Sequence, residues 1–163
     1  MGRYRIPHLL LLGVVALAAE MTVLSTTRLW GCRLELLLLL ACFAALFARD
    51  AQQAAWAAWT LGILKDIGGA GPTGLYALLF LAIGVGIHRL RHLLFREHPV
   101  TQAAVAFAGA AWVVFGDGVY TSLSVSPLPF SRLLAASLGS GIVAALGMPF
   151  LVALLRSRRW LLR

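Results

Sequence analysis

Long apolar stretches follow one another along the chain, at about 6–24, 34–48, 51–67, 72–87, 100–116 and 133–155, with only short polar or basic connections between them. The second contains five consecutive leucines, 36–40. A stretch of this kind is either a helix buried on every side or a helix that crosses a bilayer. Six of them in 163 residues leave too little polar surface to enclose a water-soluble core. Composition agrees: 61% of residues are hydrophobic, 12% are charged, and the mean hydropathy is +0.88, whereas about a quarter of a soluble domain is charged. The chain therefore reads as one all-α integral membrane domain over residues 1–163, a bundle of about six transmembrane helices. Several stretches fall near or below the usual span of about 17–25 residues, so the bundle is compact or some helices reach only part of the way.

Arg3 and Arg5 precede the first stretch, and Ala16-Leu17-Ala18 resembles a signal-peptide cleavage site. The apolar run continues to Leu24 and five more follow, so it reads as a span. The formal net charge is +8, from 14 Lys+Arg against 6 Asp+Glu. Spread over several loops, these bases form no single face for nucleic acid. They suit positive-inside loops and anionic lipids at the cytoplasmic face. With an inside N-terminus and six spans, Arg28, Arg33, Lys65 and Arg132 fall outside and all other bases inside. Both termini are then cytoplasmic. Removing the stretch 51–67 would force the orientation to invert.

The acids sort as well. Glu20, Glu35, Asp66 and Asp117 fall at outer helix ends, and Asp50 and Glu97 at inner ends. Glu20, Arg33, Glu35, Lys65 and Asp117 could be solvated singly at the interface, or could form an outer polar cluster that ties helix ends together.

Gly69-Ala70-Gly71-Pro72-Thr73-Gly74 spells the G-x-G-x-x-G of dinucleotide-binding folds. That fingerprint needs a strand before the glycines and a helix after them. Here an apolar helix precedes them, and Pro72 removes an N–H that a phosphate would use. A structural clasp between the third and fourth helices fits better. Gly68, Gly69 and Gly71 let the backbone leave one helix, Pro72 suits the first turn of the next, and Gly74 allows close approach. Asp66 is placed to accept from the free N–H groups of the following helix.

Other chemistry is sparse. His88, His92 and His98 lie among Arg89, Arg91 and Arg96 and read as a basic interface. Ser122, Ser124 and Ser126 fall in a connection with no companion histidine. Cys32 and Cys42 lie about 15 Å apart by helical rise, too far for a disulfide. No catalytic, cofactor or metal site is expected. Ser137 and Gly141, and the alanines around Gly109, offer close packing in lipid. The leucine-rich second helix lacks such a face, so Leu37 and Leu40 are expected to meet lipid or a partner helix. Pro149 is expected to kink the last helix.

Gly62-Ile63-Leu64-Lys65-Asp66, followed by Gly71-Pro72-Thr73-Gly74-Leu75, resembles the G-x-x-x-D…G-x-x-G-L signature of MreD, the rod shape-determining membrane protein family of bacteria. Arg33 before the second stretch, Leu94-Phe95-Arg96, Gln102, and Pro149 before Arg156, Arg158 and Arg159 are similar too. Leu34 stands where a proline often follows the arginine, and Lys65 where an apolar residue is commoner. The resemblance implies a non-catalytic scaffold of the cell-elongation machinery in the bacterial inner membrane. It implies association with an MreC-like single-span protein and, through it, with MreB filaments and the RodA and penicillin-binding synthases of peptidoglycan. It also implies a fold like the substrate-binding membrane subunits of energy-coupling-factor transporters. That likeness brings an alternative function, a small-molecule (vitamin-like) binding or transport subunit.

Overall fold

The computed structural model describes residues 6–24, 35–69, 73–90, 98–124 and 129–157, and these are helical throughout apart from short caps and turns. Six α-helices follow in order: α1 (Ile6–Ala19), α2 (Leu36–Phe47), α3 (Ala51–Gly68), α4 (Leu75–Leu90), α5 (Pro99–Ser124) and α6 (Phe130–Ser157). A π-helical turn, Glu20–Leu24, continues α1. Helices α5 and α6 are long and apolar enough to cross a membrane, while α2 and α4 are shorter apolar helices.

Helix α2 is the centre of the bundle and touches each of the other five helices. Its twelve residues reach only about 18 Å, and all residues 37–46 are buried. This corrects the expectation of a lipid- or partner-facing second helix: Leu37 is 0% and Leu40 3% exposed. The physical reason is legible in its length. A helix apolar all round is either a core helix or a membrane span, and one of 10–14 residues is more often a core helix. The backbone of the connection that follows it serves the start of α3, with Asp50 O accepting from Ala54 N–H. There, Arg49 N–H donates to Gln53 Oε1 at 3.1 Å, a contact close to the back-reach of a capping box.

The other helices pack around α2 through small residues. Along the antiparallel α3–α4 pair, Gly84 lies against Ala54 and Ala58, and Gly62 against Tyr76 and Ala77. Helices α5 and α6 form a second hairpin, in which Gly141 faces the Phe107 ring. Gly109 brings α5 against Cys42 of α2, and Gly116 brings it against Leu79 of α4. Helix α1 lies on α3, with Gly13 against Leu61 and Leu64. Cys42 is a buried free thiol; Cys32 lies outside the described residues.

Two boundaries differ from the sequence reading. Helix α5 runs on to Ser124, so Ser122 and Ser124 are helical rather than in a loop; Ser126 lies outside the described residues. Helix α6 begins at Phe130 and continues through Pro149.

Candidate functional site

The polar chemistry of the bundle gathers where α3 ends and α4 begins, and two consecutive α3 residues organise it. Asp66 is 8% exposed. Its Oδ2 accepts from Gly74 N–H at 3.0 Å and Ala77 N–H at 3.1 Å, and its Oδ1 accepts from Tyr76 N–H at 3.1 Å. The first N–H groups of a helix have no partner within it. Gly74 stands at the cap position of α4, with its carbonyl accepting from Leu78 N–H, and it has no side chain to offer. The carboxylate that caps α4 therefore comes from the neighbouring helix, where it also meets the positive end of the α4 dipole.

Gly62 explains why α4 can come so near. It lies one helical turn before Asp66, on the same face of α3. A Cβ there would lie 2.5 Å from Ala77 Cα and 2.7 Å from Tyr76 O. The spacing G-x-x-x-D thus puts a gap and an acceptor side by side, and the first turn of α4 seats on both.

The glycines of the connection divide their roles differently from the sequence reading. Gly74 has φ +101° and open space around its missing Cβ, so it serves backbone conformation, not close approach. Gly68 is helical and packs against Leu17 and Met21. Gly69 has an extended backbone at the α3 C-cap. Gly71 and Pro72 lie outside the described residues.

Lys65 points inward, with its side chain 15% exposed. It does not extend to the headgroups as a lysine at a helix end can. It is paired with Glu20 of the π-helical turn, lies 3.9 Å from Glu35 Oε1 at the head of α2, and sits 5.8 Å from the Tyr76 ring centroid. One ammonium thus bridges α1, α2, α3 and α4 at one end. Of the expected outer cluster, Glu20, Glu35 and Lys65 come together. Asp117 stays on α5 and makes no ion pair among the described residues, and Arg33 lies outside them. Sequence reasoning placed Gly62 in the G-x-x-x-D signature but gave it no packing role, and it missed Tyr76; the four-residue spacing from Gly62 to Asp66 was the signal for that role.

A family model described as rod shape-determining protein MreD matches residues 3–158. No curated protein and no solved structure matches the chain.

Proposed function

The chain belongs to the MreD family of rod shape-determining membrane proteins, and from that premise we propose that it is a non-catalytic scaffold of bacterial cell elongation. In this reading it binds an MreC-like single-span protein in the inner membrane. Through that protein it supports MreB filaments and the RodA and penicillin-binding synthases. The observation that carries the reading is the use made of the polar groups. Asp66 is consumed by three backbone N–H groups at the head of α4, and Lys65 by carboxylates of neighbouring helices. They hold helices to one another, as a scaffold requires. Asp66, Gly62 and Gly74 then act as a structural clasp.

Orientation follows the charges: both termini are cytoplasmic, and the clasp faces outward. The antiparallel α3–α4 pair puts exposed Arg49 and Arg89 at the opposite end, where they meet anionic lipid headgroups. Reporter fusions at Arg163 and in the α5–α6 connection test the topology. A reporter active outside the cytoplasm at Arg163 rejects it. Function is tested in cells lacking the chain: rods should round up, and the single-span partner should no longer co-purify with the synthases. Cells that keep their rod shape and their complex reject the scaffold.

A further inference from the structure

Helix α3 carries an exposed face that does not suit lipid. Gln52, Trp56, Trp59, Thr60, Ile63 and Ile67 share one side of it, and the two indoles are 50% and 37% exposed. α3 is the least apolar of the six helices. Its charged ends are Asp50 and Lys65, about 22 Å apart by helical rise. The point midway between them falls between Trp56 and Trp59. Tryptophans anchored in lipid concentrate at the two interfaces, where headgroups accept from the indole N–H. These two lie about 9–14 Å from either charged end of their helix.

The rings pack edge to face on each other, with centroids 5.4 Å apart. Among the described residues neither indole N–H has an acceptor. Thr60 has turned its hydroxyl back onto Trp56 O and Ala57 O, so it is satisfied. Acyl chains offer no acceptor, and a bare donor at hydrocarbon depth is costly. They also provide no hydrophobic drive, being as apolar as leucine. What the face lacks is electrostatic: an acceptor opposite two N–H dipoles.

We infer that the Trp56–Trp59 face of α3 seats a single transmembrane helix of a partner protein, one that presents small residues and a hydrogen-bond acceptor at mid-membrane. The inference rests on the scaffold reading above and replaces the Leu37 and Leu40 surface, which is buried in the bundle. Large aromatic side chains with a polar tip are the residues that most often dominate such interfaces. Leu138 and Ile142 of α6 are also exposed, but purely apolar, and remain in contact with lipid.

The test uses the full chain co-expressed with its single-span partner. A photo-crosslinking amino acid replaces Trp56 or Ile63 on α3, or Leu138 or Ile142 on α6. Partner adducts are expected from the α3 positions alone. The double variant Trp56→Phe, Trp59→Phe keeps two packed aromatic rings and removes both donors; it should lower partner affinity roughly tenfold without changing the melting of the isolated chain. Adducts from α6 and not α3 overturn the inference and leave the scaffold reading intact. So do α3 adducts made only with lipid or a second copy of the chain. Failure of the partner to co-purify with the parent chain removes the scaffold reading and this inference together.

Discussion

Helices α3 and α4 meet at a polar end, where Asp66 binds three N–H groups at the head of α4 and Lys65 draws in α1 and α2. Helices α5 and α6 form the longer hairpin, yet it is joined differently. Gly141 receives the Phe107 ring, and the buried Ser137 hydroxyl bonds Leu133 O and Leu134 O of its own helix. Lipid supplies no hydrophobic force between helices, so both pairs depend on packing and hydrogen bonds. Directional bonds set the register of α4 on α3 to one position. Small-residue packing sets how close α5 and α6 come and fixes their register less sharply. The first hairpin should therefore fail abruptly when one group is lost, and the second should adjust.

The largest break should come at Asp66. Asp66→Ala bares three N–H groups at the head of α4, and a hydrogen bond to a charged acceptor contributes about 1.5–3 kcal/mol. A loss of about 3 kcal/mol or more is expected in detergent unfolding, with Asp66→Asn intermediate because one acceptor oxygen remains. An Asp66→Ala protein that melts like the parent yet fails in cells would make Asp66 a contact or ligand residue, not a clasp.

Gly62→Ala comes next, at about 2 kcal/mol net of the roughly 1 kcal/mol that alanine gains over glycine in a helix. The added Cβ meets α4 backbone at 2.5 Å, and overpacking of this kind costs about 1–3 kcal/mol. Relief would require α4 to withdraw, which would also stretch the three bonds to Asp66.

Much of this end could be read from the chain, and the reasons are local. Asp66 stands shortly before Gly-Pro-Thr-Gly, so a carboxylate near a helix start was visible as order along the sequence. The pattern of six helices was visible as apolar length. What could not be read was which helix is central. Residues 36–40 look the same whether leucines face lipid or other leucines, because lipid and core are equally apolar. Only the shortness of α2 distinguishes them. The direction of Lys65 was hidden too. A lysine at a helix end can extend to headgroups, and nothing local reveals that Glu20, forty-five residues earlier, waits on the other side.

Lys65→Ala should therefore matter more than a headgroup-seeking lysine would, though less than Asp66. It leaves the Glu20 and Glu35 carboxylates, with side chains 13% and 11% exposed, without their shared ammonium. Partial exposure weakens the pair from its buried limit, so about 1–2 kcal/mol is expected. Adding Glu20→Gln should restore part of the loss. If the double variant is worse than the single one, the carboxylates have other partners and the ion pair is not what joins α1 to α3.

The smallest effect should be at Gly141→Ala, the counterpart of Gly62→Ala in the other hairpin. The added Cβ would lie 2.7 Å from Cδ2 and Cε2 of Phe107, nearly as tight as the Gly62 contact on paper. Here, however, the obstruction is a half-buried side chain. The ring can tilt by a few tenths of an ångström without disturbing a hydrogen bond. Alanine also favours the helix by about 1 kcal/mol over glycine, which offsets most of the clash. The net change should lie within about 1 kcal/mol of the parent, measured beside Gly62→Ala in the same detergent. Equal losses at the two glycines would mean that α5 and α6 are held as rigidly as α3 and α4. Register would then be set by close packing alone, and the polar end would hold nothing that small residues could not.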